Sequence, residues 1–153
     1  MNITVMGTGY VGLVTGATLS DIGHKVTCLD IIESKVNELN QGKSPIFEPG
    51  LEELIQSGIK NKTLAGSIDI ENCIRESDVT FICVGTPSNK DGSIDLNYIK
   101  SASSSIGRAL RAKEGNHTVI VKSTVVPLTT EETVLPIVLK KCGWKRERLG
   151  IGM

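Results

Sequence analysis

Apolar residues in this chain fall into two alternating kinds of run. Ile3–Met6, Lys25–Leu29, Asp78–Val84 and His117–Val121 are short and nearly continuous, rich in β-branched residues. Between them, apolar positions recur every three or four residues. Continuous short runs suit strands buried on both faces of a parallel sheet, and the spaced pattern suits amphipathic helices. The first helical pattern carries Val14, Ala17, Thr18 and Ile22 and stops at Gly23; the second, Glu33–Gln41, turns Val36 and Leu39 inward and stops at Gly42. The pattern returns in Leu51–Ser57, with Leu51, Leu54 and Ile55 on one face, and in a short Ile70–Glu76. It returns again in a helix capped by Asp95 that carries Leu96, Ile99, Ala102, Ile106 and Leu110, and in Thr130–Lys141, broken or started near Pro136. Thr63–Gly66 reads as a weak strand, and Arg148–Met153 begins one more. Strands alternating with helices predict one α/β domain over residues 1–153, a doubly wound parallel sheet with right-handed crossovers.

The first strand runs straight into Gly7-Thr-Gly9-Tyr-Val-Gly12, and the second ends on Asp30, 18 residues after Gly12. A GxGxxG turn between strand and helix, followed by an acid at the next strand's tip, is the fingerprint of a Rossmann-type dinucleotide site. Gly7 allows the tight turn, Gly9 lets a pyrophosphate approach the backbone and the helix N-terminus, and Gly12 lets the helix lie close to the sheet. Tyr10 and Val11 complete that turn. The Asp30 carboxylate can accept hydrogen bonds from ribose hydroxyls, and its charge opposes a 2′-phosphate, so NAD is expected over NADP. In an open α/β sheet, ligands bind where strands end. Gly85-Thr86-Pro87-Ser88 and Lys122-Ser123-Thr124 should therefore converge on the same crevice.

Composition narrows the partners. With 17 basic and 17 acidic side chains and no basic block, neither nucleic acid nor an anionic membrane is expected as the main partner. No apolar run approaches a membrane span of ~20 residues, and the chain enters a strand at once without a leader-like stretch. Cytoplasm is the default. Cys28, Cys73, Cys83 and Cys142 form no CxxC pair, and with two histidines a metal site is not expected. Cys28 and Cys83 lie in apolar runs and read as small buried hydrophobes.

The loops together resemble the UDP-glucose/GDP-mannose dehydrogenase family. The resemblance lies in GTGYVG at 7–12, GKSPIFEPGLEELI at 42–55, SDVTFICVGTPSNKDGSIDL at 77–96 and KSTVVP at 122–127, and so covers essentially the whole chain. It implies a two-domain NAD enzyme that oxidises the C6 alcohol of a nucleotide sugar to a carboxylate in two hydride transfers. A cysteine late in the family's chain carries the covalent intermediates. It places Val11 beside the pyrophosphate, Asp30 and Lys35 at the adenosine ribose, Thr86 in the cofactor cleft, and Thr124 near the nicotinamide and the reacting carbon. UDP-glucose is the expected substrate, with GDP-mannose the alternative, and the complete protein is expected to be a homodimer.

Bland readings stand beside these. Lys35 could be a solvated surface residue, Thr86 could merely shape a turn before Pro87, and Thr124 could be structural. Glu48 is read as starting a helix with Pro49 at its first position, and neither His24 nor His117 is given a catalytic role. Two departures from the family pattern matter. Leu128 stands where the family commonly has glycine, and none of the four cysteines matches the surroundings of the family's catalytic one. The chain also stops within a strand, at Gly150-Ile-Gly-Met153. It is therefore expected to be truncated before the family's central helix and C-terminal domain, and inactive alone; a free-standing NAD-binding module without catalysis is the alternative.

Overall fold

The computed structural model describes all of residues 1–153. Its strands are β1 (Asn2–Met6), β2 (Lys25–Leu29), β3 (Leu64–Ser67), β4 (Val79–Ile82), β5 (His117–Val121) and β6 (Leu149–Gly152). The helices are α1 (Tyr10–Asp21), α2 (Glu33–Asn40), α3 (Leu51–Lys60), α4 (Ile70–Glu76), α5 (Asn97–Leu110) and α6 (Leu135–Cys142). All six strands pair in parallel in the order β3-β2-β1-β4-β5-β6. The chain winds outward from β1 to β3, crosses back beside β1, and winds outward again. The order reverses between β1 and β4, and a reversal opens a crevice at the strands' C-terminal ends.

Strand alternation sorts the core into two layers. Ile3 and Val5 of β1, with Val26 and Cys28 of β2, pack with Leu13, Ala17 and Ile55 from α1 and α3. Met6, Leu29, Ile82, Val119 and Val121 face the other way, against Ile74, Ile99, Ile106, Leu110 and Val138 of α4, α5 and α6. Burial on both faces is why these strands read as unbroken apolar runs. The edge strand β3 is closed by a side chain: Asn40 Oδ1 accepts from the Gly66 N–H at 2.7 Å, and Asn40 Nδ2 donates to the Gly66 carbonyl at 3.1 Å.

Four local expectations need correction. Helix α1 buries Gly12, Leu13, Gly16, Ala17 and Ser20, while Val14 and Ile22 are exposed. A helix pressed close to a sheet needs small residues at the contact, and a hydrophobicity pattern passes over them. Asp95 lies one residue before the cap of α5, and its Oδ1 accepts from Asn97 N at 2.8 Å in a local turn. Pro49 is not in a helix. The Leu51 N–H donates to the Glu48 carbonyl at 3.1 Å across Gly50 at φ +79°, a turn with proline second and glycine third, and α3 begins after it.

The fourth concerns the last helical pattern. Thr130–Val134 forms a π-helical turn, in which the Leu135 N–H donates to the Thr130 carbonyl, and α6 follows with Pro136 in its first turn. Proline lacks the N–H that would reach the Glu132 carbonyl, and wider winding accommodates its ring. Just before it, Leu128 adopts φ +69°, a left-handed backbone that explains why glycine suits this place.

His117 is 1% exposed at the start of β5, at the sheet end opposite the crevice. Its Nδ1 lies 3.1 Å from the Ser77 carbonyl, which can only accept, so Nδ1 carries the proton. Nε2 then accepts from the Thr80 hydroxyl at 2.9 Å. Burial, helped by the Lys113 charge, lowers its pKa from 6.5 to about 4.

Candidate functional site: a cleft at the strand ends

The glycine turn divides its work among three residues. Gly7 leaves β1 at φ +103°, and a Cβ there would stand 2.7 Å from the Cys83 carbonyl oxygen. A Cβ on Gly12 would stand 1.8 Å from the Gly7 carbonyl oxygen, so only glycine lets α1 start this close to the loop. Gly9 differs. Its backbone, φ −77° and ψ −172°, is one any residue adopts, and its Cβ would meet nothing within 4 Å. The fold does not need glycine at this position; an approaching ligand would.

Gly9 caps α1 without a side-chain hydrogen bond, and no acid lies in the helix's first turn. The first-turn N–H groups lack intrahelical partners and carry the positive end of the helix dipole. Such an end holds a phosphate without further help.

Asp30 follows directly after β2, half-buried, beside this loop. Its Oδ2 accepts from the Thr8 N–H at 2.8 Å and the Thr8 hydroxyl at 2.5 Å, and its Oδ1 accepts from the Ile32 N–H at 3.0 Å. Burial pushes this carboxyl's pKa up, yet the Thr8 and Ile32 donors, with Lys35 nearby, outweigh it and hold the pKa below the usual aspartate value. The group is a fixed anion, stabilised by hydrogen bonds to its charged form.

Across the crevice, the loops after β4 and β5 are tied together. The Thr86 hydroxyl donates to the Thr124 carbonyl at 2.9 Å, and the Ser123 hydroxyl donates to the Val84 carbonyl at 2.7 Å. Thr86 therefore does more than shape a turn: it fixes the loop that presents Thr124, whose side chain is exposed. Between the two walls lies a cleft of about 590 Å³. Of the residues singled out from the sequence, Gly7, Gly9, Tyr10, Val11, Asp30, Lys35, Thr86 and Thr124 all line it. Gly12 is buried within α1's first turn instead. The sequence reading missed Thr8, the exposed pair Ile31 and Ile32, and Tyr98, Ser101 and Ser105 on α5. The hydroxyl between Gly7 and Gly9 was the available signal for Thr8; the α5 residues only join the cleft once the helix is docked.

Three of the four thiols are shifted away from the thiolate form that nucleophilic chemistry uses. All four are buried. Burial, with Cys83 alongside, pushes the Cys28 thiol to about 12; burial pushes Cys83, on the cleft floor, to about 11 despite Lys122 nearby; burial also raises Cys73. A nucleophilic cysteine needs the opposite shift.

Comparison with known proteins agrees with this geometry. The model of the UDP-glucose/GDP-mannose dehydrogenase family, NAD binding domain, matches residues 1–152. GDP-mannose 6-dehydrogenase of Pseudomonas aeruginosa is 45% identical over 153 residues, covering 100% of this chain and 35% of the relative. UDP-glucose 6-dehydrogenase TuaD of Bacillus subtilis is 45% identical over 138 residues, 90% of this chain and 29% of the relative. A crystal structure of a ternary complex of GDP-mannose dehydrogenase from Pseudomonas aeruginosa superposes with a TM-score of 0.96 at 45% identity, over 99% of this chain and 35% of that one. The chain thus spans about a third of the length of the relatives it matches. The glycine cradle, the fixed acid and the match over nearly every residue lead to one conclusion: this chain belongs to the UDP-glucose/GDP-mannose dehydrogenase family, as its NAD-binding domain.

Proposed function

We propose that this chain is the NAD-holding part of a longer nucleotide-sugar 6-dehydrogenase, which oxidises the sugar's C6 alcohol to a carboxylate with two NAD reduced per turnover. The observation that carries the reading is Gly9: a capping position with ordinary backbone angles and open space where a Cβ would stand, above an uncompensated helix N-terminus. In this reading the first-turn N–H groups of α1 beside Val11 take the pyrophosphate, Asp30 and Lys35 take the adenosine ribose, and Tyr10 borders the cradle. NAD, when bound, supplies the hydride acceptor. Thr124 acts at the reacting end, held there by the Thr86 bond to its carbonyl.

A covalent hold on the aldehyde between the two oxidations requires an activated nucleophile. We place that role outside these 153 residues, because all four thiols are buried and burial raises those of Cys28, Cys73 and Cys83, and the isolated chain is expected to bind NAD without oxidising a sugar. For the substrate we place GDP-mannose first and UDP-glucose second. A GDP-mannose 6-dehydrogenase relative matches over the whole chain, and a UDP-glucose 6-dehydrogenase relative matches over 90% of it at equal identity. The complete enzyme is proposed to be a cytoplasmic homodimer.

Titration of the chain with NAD and NADP should show binding that favours NAD. NADH formation by the longer protein with GDP-mannose, UDP-glucose and UDP-N-acetyl hexosamines identifies the sugar. Failure of the chain to bind NAD, or NADH production by the pure chain, would overturn the corresponding half of the reading.

A further inference from the structure

We infer that Thr8 is a positioning residue that sets which dinucleotide the cleft accepts, by locking the Asp30 carboxylate through its hydroxyl and N–H together. The inference rests on Asp30 being the ribose residue, as proposed above. A carboxylate offers about four lone-pair positions. Three are filled within the protein: two on Oδ2 by Thr8 and one on Oδ1 by the Ile32 N–H. One acceptor position remains, on Oδ1, for a ribose hydroxyl.

The lock matters because discrimination depends on the acid staying in place. A ribose hydroxyl can donate to Asp30; a 2′-phosphate brings further negative charge against it. A free aspartate would meet that phosphate by rotating its carboxylate toward solvent. Asp30 would first have to give up both bonds to Thr8, a residue 1% exposed and embedded between Gly7 and Gly9. Thr8 also makes one rigid piece of the phosphate loop and the ribose acceptor, so a dinucleotide is measured at two points by a single turn. Hydrogen bonds to an ionised acceptor are the stronger kind, consistent with an Asp30 carboxyl held in its charged form despite burial.

The test is titration of NAD and NADP into the chain and its variants, with thermal melts alongside. Thr8→Val is nearly isosteric and keeps the N–H but loses the hydroxyl. It should reduce the NAD-to-NADP affinity ratio about fivefold or more, the effect of one charge-assisted hydrogen bond. Thr8→Ser should restore the ratio to within about twofold, because the donor returns. In an Asp30→Asn background, Thr8→Val should leave the ratio unchanged. A folded Thr8→Val protein that melts lower but keeps the wild-type ratio shows a merely structural hydroxyl and overturns the inference. Thr8→Ala, read by the same titration, decides the matter if valine prevents folding. Wild-type chain that binds neither dinucleotide refutes the NAD reading itself, whereas wild-type preference that survives loss of the hydroxyl refutes only the role of Thr8.

Discussion

Substituting valine for Gly9 separates the demands of the ligand from those of the fold. The glycine's backbone lies in the extended region, which suits a β-branched residue, and no atom lies within 4 Å of its would-be Cβ. Two terms bear on stability: a weaker helix cap, and less conformational freedom in the unfolded chain. They oppose each other and amount to about 1 kcal/mol or less, roughly 2–4 °C for a domain of this size. Binding is another matter. A pyrophosphate must come within hydrogen-bonding distance of the backbone at this turn, and an isopropyl group would fill the open space. A loss of about a hundredfold in NAD affinity, ~2.7 kcal/mol, is the expected minimum. Gly12→Ala is the converse. Its Cβ would lie 1.8 Å from the Gly7 carbonyl oxygen, so backbone must move, at a cost of about 2 kcal/mol or more in stability. Calorimetric titration of NAD with thermal melts on both variants checks the pair. A folded Gly9→Val chain with unchanged NAD affinity would refute the assignment of the cradle.

Three more outcomes are expected. Leu128→Gly should stabilise the chain by about 0.5–1 kcal/mol, because relief of a left-handed leucine outweighs glycine's greater unfolded-state freedom and this exposed side chain gives up little burial; a lower midpoint in urea would contradict this. The depressed pKa of His117 means that the folded state favours the neutral ring, so its contribution is intact above pH 6.5 and is lost as pH falls from 6.5 toward 4. That loss is on the order of 3 kcal/mol at most, and urea melts at pH 7 and pH 4.5 should show His117→Gln losing less stability across that interval than wild type. Thr124→Ala in the longer enzyme should lower kcat and kcat/KM together with little change in KM for NAD. The Thr86 tie reaches the backbone carbonyl and survives the change; a raised KM with normal kcat would make Thr124 a cofactor contact only.

What the sequence shows of this molecule depends on how local the physics is. β2 and β5 are read to the residue because burial on both faces writes each strand as an apolar run. Gly7, Gly9, Gly12 and Asp30 stand out because turn, helix start and strand tip follow each other within 30 residues. Their separate duties do not stand out: the crowding at Gly7 and Gly12 arises from where Cys83 and the Gly7 carbonyl arrive in three dimensions, and the open space at Gly9 from no group arriving there. The buried face of α1 is misread for the same reason, since Gly16 is required by the Cys28 sulfur, on β2, 2.6 Å from its would-be Cβ. Thr8 and Thr86 carry their meaning in partners 22 and 38 residues away.

The Asn40 amide at the outer side of β3 has a bearing on colloidal behaviour. A parallel strand at a sheet margin exposes unpaired N–H and C=O groups that can recruit another chain. Here one amide side chain donates and accepts as a neighbouring strand would, at Gly66, where α2 lies against the strand. Asn40→Ala would leave NAD contacts untouched and unseal that margin. The variant should then scatter light on warming at temperatures where the parent chain stays clear, a failure of self-association control in a chain whose cofactor affinity is intact.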